Sequence, residues 1–506
     1  MLTTQRHIGY IAGCPNGTNV PFLVASFDPS PVLVTCGGIT ETVQLTSIGS
    51  DVGGGNVAGY YGHGILRCST LGKRESVSLT QDAVTESDCS VWPNSSATTR
   101  IKIHQGSCDN PPNVFGGNIS GGYRHVTATV REALCPQYMV FADDFGYPSR
   151  MVVNDLLLNK AHTGIPSDTV LEHDYALSYF NCLGMFSDVR DENIKWGLDA
   201  DRVYSIRNMA WLLQVGDWEF FNDAGFDAVA LGDPRYTVAR AVWDKLFGPL
   251  RPAVDIRSRD TTALHWGVTI GCVRIVAMDN VTRGSGGYIN GTTAIATQFG
   301  NNQIDDCLDA LNTNDPFKLL VINVGDKYMG APATATEFQS GQQHPLFDHC
   351  LAEFQRLYTA TGNTPKSIMD NPYTNGTLAV LNGWHGDTHR GQIFNNQAIA
   401  YAGNAAENWW SWFQGTINGC VNFGLQFDAV TNCVDGGLYR GTSVVYTQMS
   451  GDATHALHRY HTLDADVRGD LAVPVITCTM RDESRIVCRA DFRIGSNQPQ
   501  SRLAMF

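Results

Sequence analysis

Four short segments of this chain hold the side chains with chemistry to perform. They are Gly106-Ser107-Cys108-Asp109, Asp143-Asp144-Phe145-Gly146-Tyr147, Gly216-Asp217-Trp218-Glu219-Phe220-Phe221-Asn222-Asp223 and Gly386-Asp387-Thr388-His389. Together they offer carboxylates, a thiol, a phenol, an amide and an imidazole. Hard oxygen donors mixed with one thiol and one imidazole, drawn from distant parts of a chain, are what a two-metal hydrolytic centre needs. No one segment is diagnostic; their order and setting make the case. Asp143 and Asp144 are adjacent carboxylates, and either could serve as a ligand.

The elements that must position these groups can be read from apolar runs. Ile101-Lys102-Ile103-His104 is a candidate strand ahead of the first segment. Tyr138-Met139-Val140-Phe141 reads as a buried strand delivering Asp143 and Asp144, and Trp211 to Val215 delivers Asp217. Cys272 to Met278 is a strand ending at Asp279, and Leu319 to Ile322 is another. Leu378 to Leu381 leads into the Gly386-Asp387 loop. Between them, Val126, Val130, Ala133 and Leu134, then Ile304, Cys307, Leu308 and Leu311, then the stripe from Leu346 to Leu357 follow helical spacing. Alternating strands and helices predict an α/β sheet whose strand ends converge on one edge, the usual place for a ligand.

The two ends of the chain differ from this middle. Short β-like runs broken by turns (Val32 to Thr35, Thr42 to Leu45, Ser76 to Leu79) predict an N-terminal β-sandwich-like domain over residues 1–100. Ser87 to Thr99, with Pro93 and several serines, reads as a linker. The α/β domain then spans 101–495. It closes on a β hairpin made by Val473 to Met480 and Arg485 to Phe492, and a tail follows at 496–506.

Composition excludes some functions. A formal net charge of −14 argues against general binding to nucleic acid or to an anionic membrane. Charged residues at 17% beside 43% hydrophobic ones describe a globular chain rather than a disordered one. The 14 cysteines form no Cys-x-x-Cys pair, which speaks against a zinc ribbon. No signal peptide and no membrane-spanning stretch is visible. Other groupings are weaker. Trp409, Trp410, Trp412 and Phe413 read as core packing near a helix. His455, His458 and His461 have the spacing of one helix face, and Glu172-His173-Asp174 has no supporting motif. Both histidine groupings are read as surface or structural.

Residues from about 101 to 492, some three quarters of the chain, resemble the PhoD-type alkaline phosphatase/phosphodiesterase family of calcineurin-like metallophosphoesterases. That family carries, in order, Ser-Cys, Gly-Asp-x-x-Tyr, Asp-Asp-His-Glu-x-x-Asn-Asn/Asp and Gly-Asp-x-His. Ser107-Cys108, Asp144 to Tyr147, Asp217 to Asp223 and Gly386 to His389 match these in turn, with Ala142-Asp143 ahead of Asp144 where the family has glycine. His265-Trp266-Gly267, the strand ending at Asp279, Arg283, and Thr297 to Gly300 with Gln303 also look like the family's connecting text. The resemblance implies a metallophosphoesterase-type layered α/β sandwich and a two-metal site. Cys108, Asp144 and Tyr147 would surround one ion, iron in the best-known members. Asp217, Asn222 and Asp387 would help hold a second, often calcium, and His389 would be a ligand or a phosphate contact.

One departure changes what is expected. The family's Asp-Asp-His-Glu reads Gly216-Asp217-Trp218-Glu219 here. The lost histidine protonates the leaving oxygen or steadies the phosphate in related enzymes, help worth roughly 10²–10⁴-fold. Tryptophan cannot supply it, and His385, two residues before Asp387, is the candidate substitute. Two functions therefore stand open. One is metal-dependent hydrolysis of phosphate mono- or diesters, extracellular or particle-associated. The other is a PhoD-like scaffold with weakened or lost activity, serving as a structural or binding subunit of a virus particle or surface assembly.

Overall fold

The computed structural model describes residues 8–48, 58–95, 101–106, 137–141, 145, 148, 168–185, 200–216, 219–220, 234–252, 259, 264–271, 273–279, 299–311 and 317–322, and from 380 to 505 a series of strands followed as backbone. The first strands are β1 (Ile8–Ala12), β2 (Asn19–Ser26), β3 (Val32–Cys36), β4 (Ile39–Val43), β5 (Thr46–Ser47), β6 (Tyr60–Arg67), β7 (Glu75–Gln81) and β8 (Val84–Val91). They are followed by β9 (Ile101–Gly106), β10 (Tyr138–Phe141), β11 (Ala210–Leu213), β12 (Trp266–Ile270), β13 (Val273–Met278), β14 (Phe317–Ile322) and β15 (Val380–His385). The helices used below are α1 (Asp168–Cys182), α2 (Ala200–Asn208), α3 (Pro234–Leu246) and α4 (Asn301–Leu311).

Two sheets lie face to face in the α/β part. The larger runs β9-β10-β11-β1-β2-β6-β5, extended beyond β9 by Gly441–Gly451; the smaller is β12-β13-β14-β15. Strands β9, β10 and β11 are parallel, as are β13, β14 and β15. β10 is buried on both sides, and its side chains alternate between two cores as a period of two requires. Tyr138 and Val140, with Ala210 and Leu212 of β11, pack against Trp266, Ile270, Val273, Ile275 and Ala277 of the second sheet. Met139 and Phe141, with Trp211 and Leu213, face a core that takes in α1, α2 and α3. Arg274, on the opposite face of β13, donates to the Ala310 carbonyl at 2.9 Å and so holds α4 against that side. The result is helices, sheet, sheet, helix.

The α1 terminus shows how locally this is specified. The Gly184 N–H reaches the Asn181 carbonyl at 2.9 Å and the Met185 N–H reaches that of Phe180 at 3.2 Å. Gly184 sits at φ +78°, the left-handed stop that glycine allows at a helix end.

Near the N-terminus, β4-β3-β7-β8 forms a separate antiparallel sheet. It packs its apolar face on β1, β2 and β6 through Val34, Val77 and Leu79 against Tyr10, Phe22 and Val24. β1 is hydrogen bonded to β11 in the large sheet, with Ala12 opposite Ala210. Val475–Met480 and Ile486–Ile494 make the expected hairpin, and a third strand, Gln498–Met505, extends it over most of the expected tail.

Two expectations need correction. Ser87–Val91, read as the start of a linker, belongs to β8, with Cys89, Ser90 and Val91 buried. Its polar residues have partners: Ser90 Oγ accepts from Arg74 Nε at 2.7 Å and donates to Asn208 Oδ1 at 2.8 Å. His458 and His461 lie on the strand Ala456–Ala465, opposite Met449 and Tyr446, rather than on a helix. The helical stretches expected at 126–134 and 346–357, and Trp410, Trp412 and Phe413, lie outside the described residues.

Candidate functional site

Three strands of the large sheet end level with one another: Gly106 of β9 is opposite Phe141 of β10, which is opposite Leu213 of β11. The small sheet repeats this, with Met278, Ile322 and His385 in register at the ends of β13, β14 and β15. The two rows are tied together. Gln214 Nε2 donates to the Met278 carbonyl at 2.7 Å, and Trp266 Nε1 donates to the Leu213 carbonyl at 3.1 Å. Six strands therefore bring their carboxyl ends to one edge. Ser107-Cys108 follows β9 directly, Asp143 and Asp144 follow β10, Asp217 follows β11, and Asp387 stands two residues beyond His385.

Of the residues singled out from sequence, Cys108, Asp143, Asp144, Tyr147, Asp217, Trp218, Asn222, Asp387 and His389 lie outside the described residues. His385 is placed as the last residue of β15.

The loops at this edge are held by a side chain to which the sequence assigned no role. Glu219 is fully buried. Its Oε2 accepts the Gly216 N–H at 2.6 Å, and its Oε1 accepts the Phe145 N–H. One carboxylate thus ties the segment after β10 to the segment after β11. The Phe145 ring is seated edge-on to Phe141, Trp211 and Phe247 at 5.5–5.7 Å between centroids. The Phe220 carbonyl accepts from Tyr175 Oη of α1 at 2.8 Å. Burial, with the Glu219 charge second, pushes the Tyr179 phenol and the Cys182 thiol well above their ordinary values. Both stay protonated at neutral pH. The only sequence signal for Glu219 is its place in the third segment; its partner at Phe145 is 74 residues away.

On the small-sheet side, Asp279 is structural. Its Oδ2 accepts the Leu264 N–H at 2.6 Å. Gln303 of α4 returns two bonds, accepting from the Asp279 N–H at 2.6 Å and donating to its carbonyl at 2.7 Å. Nearby His265 Nε2 meets Asp306 Oδ2 at 3.1 Å. Burial holds this imidazole below its ordinary value, against Asp306, which raises it. A cleft of about 730 Å³ opens elsewhere, between β2, β4 and β6, lined by Phe22, Glu41, His63, Ile65 and Arg67. None of these belongs to the four segments.

The described architecture is a mixed α/β sandwich with its strand ends gathered on one edge. No family model matches the chain, and no curated protein matches it. Among solved structures it is similar to one titled "Structure of PhoD", with a TM-score of 0.57 at 11% identity, covering 98% of this chain and 91% of that one. At such low identity the likeness is one of fold. Among the described residues, no helix is long and apolar enough to cross a membrane.

Proposed function

We propose that this chain is a metal-dependent phosphoesterase that hydrolyses phosphate mono- or diesters. The observation that carries the reading is the shared edge: Gly106, Phe141 and Leu213 in one sheet, and Met278, Ile322 and His385 in the other, end together. The donor set leaving that edge fits two cations, since thiolate and phenolate suit a ferric ion while carboxylate and amide oxygens suit calcium. Cys108, Asp144 and Tyr147 would hold one ion. Asp217, Asn222 and Asp387 would hold the other, with an aspartate shared between the two and His389 a further ligand or phosphate contact. When bound, such a pair supplies the Lewis acidity that polarises a phosphoryl oxygen and acidifies water.

The chain's own residues do the rest. Glu219 draws the Asp144 and Asp217 segments together, so their donors start from fixed backbone. Trp218 brings no titratable group to a place where the family has an imidazole. His385, at the end of β15, is the nearest candidate in sequence to donate a proton to the leaving oxygen.

That same Trp218 favours a second reading, a PhoD-like scaffold retained for assembly, extracellular or on a particle, with little or no turnover. One experiment separates the two. The purified chain is assayed with p-nitrophenyl phosphate and bis(p-nitrophenyl) phosphate, with and without chelator, alongside elemental analysis and Asp387→Asn. Chelator-sensitive turnover that Asp387→Asn abolishes supports the enzyme. Metal-free protein without turnover supports the scaffold.

A further inference from the structure

Away from that edge, where the N-terminal sheet meets the large one, two thiols and a carboxylate come together. Cys36 ends β3, Cys68 directly follows β6, and Glu75 begins β7. One donor atom from each lies within 4.8 Å of the others. Cys36 and Cys68 are 1% and 6% exposed, so the sulfurs are screened from solvent. None of the three belongs to the four segments already described.

Glu75 is oriented rather than merely near. Its Oε1 accepts the Ser69 N–H at 2.6 Å, the Ser69 hydroxyl at 2.8 Å and the Thr70 N–H at 3.3 Å. That leaves Oε2 facing Cys36 Sγ at 3.7 Å. Outer bonds that fix one carboxylate oxygen and present the other are how metal ligands are held. The backbone makes room for this. Gly37, at φ +57° in the turn after Cys36, passes so close that a Cβ there would stand 2.9 Å from Glu75 Oε2.

We propose that Cys36, Cys68 and Glu75 form a second, structural metal site that binds a zinc-class divalent cation and pins the β3–β7 sheet to the end of β6. Two thiolates and a carboxylate are donor types that zinc accepts. Binding releases the two thiol protons to solvent, and the cation neutralises a buried pair of thiolates beside a carboxylate. The site would add stability to the N-terminal strands and takes no part in phosphoester chemistry.

The test uses the full chain, kept reduced, in a Cys108→Ser background that removes the thiol of the other centre. Co²⁺ is added as the probe and sulfur-to-cobalt charge-transfer absorption is read. One equivalent giving that band is expected. Cys36→Ser with Cys68→Ser should abolish it, and Glu75→Gln should weaken cobalt binding roughly 10–100-fold. No band in the Cys108→Ser protein, or a band that survives the double substitution, overturns the proposal. Where the double variant fails to fold, alkylation of the otherwise unaltered chain decides the matter. Iodoacetamide reaches these buried thiols through local opening, and Zn²⁺ must slow that labelling of Cys36 and Cys68, read by peptide mass spectrometry over time. Equal labelling with and without zinc, or recovery of the two as a disulfide-linked peptide, counts against the site.

Discussion

The Glu219 carboxylate accepts the backbone N–H of Phe145 across 74 residues of sequence, while its other oxygen holds the N–H of Gly216. Two loops that each carry a ligand candidate are thereby closed by one buried charge. Hydrogen bonds to a charged acceptor contribute about 1.5–3 kcal/mol each, and a buried N–H left without a partner costs about 1–3 kcal/mol. Glu219→Ala should therefore destabilise the chain by roughly 3–5 kcal/mol, read as a lower urea midpoint. It should also lower the metal content of the purified protein. Unchanged midpoint and metal content would show that the clamp does not organise the edge.

If Trp218 stands where the proposed phosphoesterase site would use a histidine, two predictions of opposite sign follow. Trp218→His should raise turnover of substrates with poor leaving groups more than that of p-nitrophenyl esters, because only the former need a proton at the departing oxygen. His385→Ala should lower the same turnover by about 10²–10⁴-fold if that imidazole has taken over. Both are read as the slope of log kcat against leaving-group pKa. A slope insensitive to either substitution removes His385 from the mechanism.

Gly184 tests the local logic of the helix layer. A left-handed backbone costs a non-glycine residue about 1–2 kcal/mol. A Cβ at Gly184 would in addition come within 2.5 Å of Val203 Cγ2 in α2. Gly184→Ala should lower the thermal midpoint measurably, whereas an exposed control such as Leu71→Ala should not. Equal midpoints would mean that the α1–α2 packing adjusts freely.

Much of this arrangement is legible in the sequence, and the exceptions share a cause. Strands β10 and β11 announce themselves because a parallel strand covered on both faces is apolar throughout. α4 is legible because Ile304 and Cys307 follow helical spacing and both are buried. Ser87–Val91 misleads because its serines and Asp88 look like linker, and only the distant Arg74 and Asn208 explain why Ser90 can be buried. His458 and His461 mislead because i, i+3 spacing is common by chance in a long strand. The pairing of β1 with β11 leaves no mark in either segment, since a parallel partner is chosen by topology and not by local residues. For the site, the alternation of strands with helices predicts that strand ends gather on one edge, as Gly106, Phe141 and Leu213 do, while the expected ligands lie outside the described residues. The Glu219 to Phe145 bond could not be read from spacing, because its two ends are unrelated in sequence.

Acid sensitivity follows from two imidazoles, His265 buried and His63 half-buried. Burial lowers both His265 and His63 below the ordinary value, against hydrogen bonds to Asp306 and to the Leu246 carbonyl. A group whose folded value is depressed is neutral in the native state, while the unfolded chain takes up its proton below about pH 6.5. Stability is therefore intact above that value. It falls as pH drops through it, and stops falling once the pH lies below the folded values. His265→Gln and His63→Gln each keep a donor near the position of Nε2 without the titration. The double variant should show a flatter fall in urea midpoint between about pH 7 and pH 5 than the unaltered chain. Parallel curves for the two proteins would mean that carboxylates, not these histidines, govern the loss.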